Sequence, residues 1–245
     1  MTVFTGFNRI RIINLPSRPD RREQMVRELR RIGLQDDPRV EFVDGIIVED
    51  MRPWRAPGEK GIFLAQLGII AEAAAAGDSV LILEDDVDFT PEARHWGRPP
   101  DCDIAYGGYI AANAVDLHSS DIIGAHCIGF SARAVNALAP YLEGLLDHES
   151  PPPIDGAYVW FRRQTTGFKT EFAQPVVAVQ RPSRSDITPA HRFDKVPWLR
   201  RPLDAARRAK RFLQRGEVTF GVREALILSA LAVAITVAMA LHYSR

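Results

Sequence analysis

The densest reactive chemistry in this 245-residue chain is a run of carboxylates, Glu84, Asp85, Asp86 and Asp88, placed directly after the apolar stretch Val80–Leu83. Side chains alternate along a strand, so Glu84, Asp86 and Asp88 are expected on one face and Asp85 on the other. Acids massed at one point repel one another unless a cation or hydrogen-bond donors compensate them. Hard oxygen ligands of this kind suit Mg2+ or Mn2+, which are usually held by one or two carboxylates together with a ligand's phosphates. A solvated acidic turn is the other reading. The position favours a site, because ligands of open α/β sheets gather at the carboxyl ends of strands.

Two further residues carry alternatives. His126 lies inside the apolar run IGAHCIGF and is either a satisfied core residue or a group that completes a metal site or touches a substrate. Asp155, in PPIDGAY, is either an acid favoured by the first turn of a helix or a proton acceptor. No Ser-His-Asp order and no phosphate-binding P-loop is readable. The two cysteines, Cys102 and Cys127, cannot make a multi-disulfide scaffold or a four-thiolate zinc site.

The elements that must position these groups follow from periodicity. Arg9–Leu15 reads as a strand entering a core. Ser17 offers an N-cap, and Met25, Val26, Leu29 and Ile32 share one helical face that ends at Gly33. Val40–Val43 is a short strand, and the glycines and prolines of Arg52–Gly61 predict a loop. A helix runs from Ile62 to Ala76, and Val80–Leu83 is the strand that feeds the acids. Further strands are expected at Ile104–Tyr106 and Ile122–Phe130, then helices at Ser131–Leu146 and Ile154–Phe168. Short strands at Lys169–Phe172 and Val176–Val179 complete the pattern. Strands alternating with helices predict an α/β layered fold with a mainly parallel central sheet.

The globular part is expected to end near residue 190. Overall 31 Lys and Arg balance 31 Asp and Glu, which argues against a general nucleic-acid binder. The zero net charge conceals an uneven distribution. Arg200–Arg215 holds seven basic residues against one acid, Asp204, so this window carries +6 and the remainder −6. The uncharged run Ala225–Leu241 follows, 17 residues at the short end of the membrane-spanning range. A buried core helix is its other reading. These features predict a basic juxtamembrane segment over 191–223 and a single transmembrane helix over 224–244. The basic residues place the N-terminal side in the cytoplasm and suit anionic headgroups. MTVFTGFNRIRIINL has no long apolar stretch, so no secretory signal is expected and the domain is expected to be cytoplasmic.

Four blocks in order resemble glycosyltransferase family 25, whose members include lipopolysaccharide and lipooligosaccharide glycosyltransferases and collagen galactosyltransferases. They are IINLPSRPDRR (Ile12–Arg22), GEKGIFLAQL (Gly58–Leu67), SVLILEDDVDF (Ser79–Phe89), and a spread block of IGAHCIGFSARAV, PPIDGAY and QPVVAVQRPSRSDI. Together they cover roughly residues 10–187. The third is the most recognisable. One departure stands out: Ala65 and Gln66 occupy the family's Ser-His positions, and Ile62 replaces its usual Cys. Gln66 can hydrogen-bond but cannot carry a proton at neutral pH.

The resemblance implies a GT-A-like nucleotide-sugar-binding fold and an inverting, metal-dependent hexosyltransferase, with galactose the family's commonest donor sugar. It implies Mn2+ or Mg2+ on Asp86 and Glu84, with Asp86 and Asp155 catalytic and Asp155 the general base. Asn14, Arg18, Arg21, Asp85 and Gln66 would bind the donor, although the arginines also read as a solvated helix face. His126, Gln180, Ser185 and Asp186 would bind substrate. The implied partners are a nucleotide-sugar donor and a glycolipid or envelope-glycan acceptor, with the membrane reached through the tail. Two other readings are a degenerate transferase fold acting as a membrane-bound scaffold, motivated by the missing Ser-His pair, and another metal-dependent phosphate-transfer enzyme.

Overall fold

The structure is a computed structural model that describes residues 3–181. The expected juxtamembrane segment 191–223, the transmembrane helix 224–244, and Ser185 and Asp186 lie outside the described residues. Among the described residues no helix is long and apolar enough to cross a membrane.

The elements are β1 (Arg9–Asn14), α1 (Pro19–Ile32), β2 (Val40–Asp44), α2 (Pro57–Ala76), β3 (Val80–Glu84), β4 (Val87–Phe89), β5 (Ile104–Ala111), β6 (Ile122–Phe130), α3 (Ala132–Leu145), α4 (Ile154–Gln164), β7 (Thr170–Phe172) and β8 (Ala178–Gln180). Six strands form one sheet in the order β2-β1-β3-β6-β5-β7, and β4 pairs with β8 in a separate two-stranded sheet. Strand β1 is parallel to β2 and β3, and β5 is parallel to β7. Strand β6 runs antiparallel between β3 and β5. The fold is therefore mixed α/β with a mostly parallel central sheet, whose one reversed strand is inserted beside β3.

Burial on both faces explains the continuous apolar strands. In β3, Val80 and Ile82 enter one core with Phe63, Ile70, Leu138 and Phe161, while Leu81 and Leu83 enter the other with Met25, Leu29 and Phe89. Helices α2, α3 and α4 thus cover one face, and α1 with β4 covers the opposite one. Helix α3 starts at Ser131, whose hydroxyl accepts from the Ala134 amide at 3.0 Å. Helix α1 departs from expectation: Arg18, not Ser17, is its N-cap, without a side-chain cap, and Pro19 supplies the preset first turn.

Several boundaries move, each for a packing reason. Helix α2 begins at Pro57 rather than Ile62, so the expected loop glycines Gly58 and Gly61 are helical. A Cβ on Gly61 would lie 2.2 Å from the Ile46 carbonyl oxygen, so this glycine lets the loop after β2 close onto the helix. Strand β5 continues through Gly107 and Gly108 to Ala111. There a Cβ on Gly108 would meet both the Ala178 carbonyl and His126 Nε2 at 2.6 Å. Helix α4 stops at Gln164, short of Phe168, ahead of Gly167 at φ 87°.

The two α2 glycines should respond oppositely to alanine. Gly61→Ala must displace the Ile46 backbone and is expected to destabilise by about 1–3 kcal/mol. Gly68, with nothing within 4 Å of a Cβ, should gain roughly 0.5–1 kcal/mol as alanine. Denaturant unfolding of both variants checks the opposite signs.

Candidate functional site

The acids lie where β3 ends and β4 begins, with Asp85 and Asp86 forming the turn between them. That turn breaks the alternation expected from a continuous strand. Arg21, from the first turns of α1, meets both residues: its Nη1 is 3.0 Å from Asp85 Oδ1 and 3.5 Å from Asp86 Oδ2. Asn14, at the end of β1, donates from Nδ2 to Asp85 Oδ2 at 2.7 Å and to the Arg18 carbonyl at 3.2 Å. Asp88, fully buried, accepts from Arg181 through Nε at 3.0 Å and Nη2 at 2.7 Å. Arg181 also donates its backbone amide to the Asp86 carbonyl at 2.6 Å and reaches the Val87 carbonyl at 3.1 Å and Gln24 Oε1 at 2.6 Å.

Two carboxylates are less well compensated. Asp86 Oδ1 is shut off from solvent and has no hydrogen-bond partner. Burial pushes the Asp86 carboxyl up to about 6, against the opposing pull of Arg21 and with a further push from Asp85. Glu84 is pushed up to about 8, first by burial and then by Asp86, Asp85 and Asp155. Gln180, from β8, reaches Glu84 Oε2 at 3.4 Å.

A cleft of about 260 Å³ opens here, close to the lower end of the usual ligand-pocket range. Glu84, Asp85, Asp86, Arg21 and Gln180 form its polar side. Ile13, Leu15, Ile62 and the loop residues Ile46–Val48 form an apolar wall, and Pro57 and Gly58 bring in the start of α2. Helix α2 has no side-chain cap, so the positive end of a 20-residue helix borders the acids.

Asp155 is not part of the cleft lining, but it lies close enough to raise Glu84. It sits in the first turn of α4, where its Oδ1 accepts from the Gly156 amide at 2.8 Å. Burial pushes its carboxyl up to about 6. Gln66 is buried on α2, and its side-chain carbonyl accepts from the Tyr158 hydroxyl. The Tyr158 hydroxyl is in turn raised by burial and by Tyr106, Asp155 and Glu84. Arg18 pairs with Asp20 at 2.9 Å at the surface side of the α1 start.

His126 lies in the packing between β6 and β8 rather than in the cleft lining. Its Nε2 is 3.0 Å from the Ala178 carbonyl oxygen, an acceptor, so Nε2 carries the proton. Burial pushes its pKa down to about 4, leaving a neutral ring whose buried Nδ1 has no partner. Of the residues singled out in the sequence, Arg21, Glu84, Asp85, Asp86 and Gln180 line one cleft. Asn14 stands behind Asp85, and Asp155 and Gln66 stand behind Glu84.

Three contributors carried no sequence signal strong enough to identify them. The apolar triplet Ile46–Val48 follows a short strand, the start of α2 was concealed by its glycines, and Arg181, though inside the resembling block QPVVAVQRPSRSDI, was not singled out there. Among the described residues no group of three or more His, Cys, Asp and Glu side chains could hold a metal. Glu84 and Asp86 are the two under-compensated carboxylates that line the cleft, and hard oxygen ligands of this kind suit Mg2+ or Mn2+.

No family model matches the chain, and no curated protein matches it. Among solved structures, the crystal structure of a glycosyltransferase involved in the glycosylation of the major capsid of PBCV-1 is similar at 11% identity. The match covers 72% of this chain and 95% of that one, with a TM-score of 0.48.

Two outcomes follow from the charge balance. An acid whose folded pKa is raised binds its proton more readily folded than unfolded, so its contribution favours the fold at low pH and is lost as pH rises. For Asp86 the window runs from 3.8 to about 6, and for Glu84 from 4.5 to about 8. Thermal unfolding without divalent cations should show Tm falling from pH 5 to pH 8, and Glu84→Gln should flatten the upper part of that fall. Arg181→Met removes two charge-assisted hydrogen bonds from the buried Asp88 carboxylate and is expected to cost about 3–5 kcal/mol by denaturant unfolding. A loss below about 1 kcal/mol would show that the pair does not hold the turn.

Proposed function

We propose that the cleft binds a nucleotide-sugar and that the chain is a glycosyltransferase, passing a sugar to the hydroxyl of a glycolipid or envelope-glycan acceptor. The observation that carries this reading is the under-compensated pair Glu84 and Asp86 at the carboxyl end of β3, facing the uncapped start of α2 across one cleft. Such a place suits a diphosphate. The helix dipole of α2 favours the anion on one side, while a divalent cation held by Glu84 and Asp86 would neutralise it on the other. The apolar wall of Ile13, Leu15 and Ile46 offers a face for a nucleobase. The four sequence blocks resembling glycosyltransferase family 25 support the same reading, since the first three all contribute to this cleft. The strand order, with one reversed strand beside β3, is in keeping with a GT-A-like arrangement.

In this mechanism Glu84 and Asp86 would hold Mn2+ or Mg2+, which as a Lewis acid would neutralise charge on the departing diphosphate. Arg21 and Asn14 fix Asp85 and with it the turn, so the Asp86 carboxylate keeps its aim without side-chain rearrangement. Asp155, near Glu84 but outside the cleft lining, takes the general-base role that the resembling PPIDGAY block implies. Its pKa of about 6 leaves it ionised at neutral pH yet basic enough to accept a proton. The acceptor hydroxyl gives its proton to the Asp155 carboxylate as its oxygen bonds to the anomeric carbon. The bond from that carbon to the phosphate oxygen breaks, and the nucleoside diphosphate leaves with the electron pair on its terminal phosphate. In-line attack of this kind inverts the anomeric centre.

Gln66 bears on the alternative, a catalytically degenerate scaffold. Buried against Tyr158, it occupies a supporting position rather than one in the cleft lining, so its substitution for histidine leaves the Glu84, Asp86 and Asp155 chemistry in place. A membrane anchor over 224–244 would keep the domain beside a membrane-confined acceptor.

The full chain, incubated with a panel of nucleotide-sugars and Mn2+, should bind or consume one donor. Asp86→Asn should lower turnover by about 100-fold or more. Asp155→Asn should lower kcat while donor binding, read by calorimetry, is kept. Absence of cation-dependent donor binding across the panel would return the scaffold reading, and full turnover in excess chelator would remove the metal from the mechanism.

A further inference from the structure

The exposed large hydrophobic residues of the described chain are not scattered. They are Ile46, Ile47 and Met51 in the loop after β2, Ile110 at the end of β5, Val115 in the β5–β6 connection and Ile123 at the start of β6. Because β1, β2, β3 and β5 run in one direction and β6 in the other, all six lie at the carboxyl end of the parallel strands. The acid turn lies at the same end. In the sheet order the β2 loop stands on one side of β3 and the β5–β6 hairpin on the other. The apolar residues therefore flank the cleft, and Ile46 and Ile47 form part of its wall. Exposure here is extensive: Val115 is 98%, Ile47 74% and Ile123 63% exposed.

Single exposed aliphatic residues are ordinary, but their confinement to one end of a domain is a mark of an interaction surface. Two observations select the occupant. The apolar part of the surface consists of Ile, Val and Met, and the same loop exposes Arg52, paired with Asp50, and Arg55 beside Met51, cations suited to anionic headgroups. Aliphatic side chains of this kind gain by entering the boundary between headgroups and acyl chains. The route of the chain gives the second observation. Arg181, the last described residue, hydrogen-bonds through its backbone amide to the Asp86 carbonyl, so the described chain ends at this same end. The sequence beyond it holds the +6 window Arg200–Arg215 and the uncharged run Ala225–Leu241, chemistry that complements an anionic bilayer.

We propose that this end of the domain rests on a lipid bilayer, with Ile47, Val115 and Ile123 entering the interface and the cleft mouth turned toward it. The orientation stands on exposure, topology and the place where the described chain ends, and holds whether or not the cleft transfers a sugar. Combined with the transfer reading, it names the acceptor class as one presented from the membrane surface.

Site-directed depth measurement tests it. The full chain would be reconstituted in phosphatidylethanolamine–phosphatidylglycerol vesicles as Ile47→Cys, Val115→Cys, Ile123→Cys or Asp36→Cys, each labelled with an environment-sensitive fluorophore. Cys102 and Cys127 are buried and should remain unlabelled in the folded protein. Asp36, between α1 and β2 at the opposite end, is the control. Doxyl-lipid should quench the labels at 47, 115 and 123 several-fold more than the label at 36, with blue-shifted emission at the first three. Equal quenching at all four positions, or none, overturns the proposal. Concentration-dependent cross-linking between labelled sites, without lipid quenching, assigns the surface to a second copy of the chain and overturns it as well. Repeating the measurement on an Asp86→Asn background separates the two ideas, since the quenching pattern should persist when transfer is lost.

Discussion

Four carboxylates within five positions, at a point largely removed from water, set the terms for the structure around them. Asp85 is answered by Asn14 and Arg21, and Asp88 by Arg181. Each answer comes from a different part of the chain: the end of β1, the first turns of α1, and the residue that follows β8. Breaking such a pair in a low-dielectric setting leaves an uncompensated charge, which costs more than the pair itself contributes. The acid turn therefore ties together the two ends of the described chain. It also explains why β4 and β8 form a small sheet of their own, because that pairing delivers Arg181 to Asp88 and to the Asp86 backbone.

The layered core supplies the rigidity that this charge cluster needs. Strand β3 is buried on both faces, and its last residue is the first acid. The reversed strand β6 beside it brings His126 against the β8 backbone, and Gly108 is the residue that permits the approach. On the other side, Gly61 lets the β2 loop settle on α2 and form the apolar wall of the cleft. Two glycines thus permit two close approaches, one of strands β6 and β8 to β5 and one of the β2 loop to α2.

The sequence makes the layers legible because their signals are local. Continuous apolar strand runs, apolar helical faces and the Gly33 terminator all depend on near neighbours. Glu84, Asp85 and Asp86 were visible as a strand ending in acids, and Arg21 and Gln180 as members of resembling blocks. What sequence could not give was the division of labour among the acids. Period-two alternation puts Asp86 and Asp88 together, whereas the turn gives Asp85 and Asp86 to Arg21 and gives Asp88 to Arg181. That division depends on partners 64 and 93 residues away. The glycines of α2 misled for a related reason. Gly61 reads as a loop residue by propensity, but here it serves a long-range contact with the Ile46 carbonyl.

The uneven compensation of the acids is itself informative. Folding could have silenced all four, as it silences Asp88, yet Glu84 and Asp86 keep raised pKa values and Asp86 keeps an oxygen with no partner. A buried acceptor left unmatched costs on the order of 1–3 kcal/mol, so it persists in a fold where something outside the chain answers it or where the cost is tolerated for function. The two acids lie on the cleft, whereas the satisfied Asp88 lies away from it. Glu84, Asp85 and Asp86 thus give the cleft its acidic side, and the apolar wall limits which ligands gain from entering. A small hydrated anion would leave that wall uncovered. A molecule with a phosphate group at one end and a flat or apolar body at the other would satisfy both sides at once.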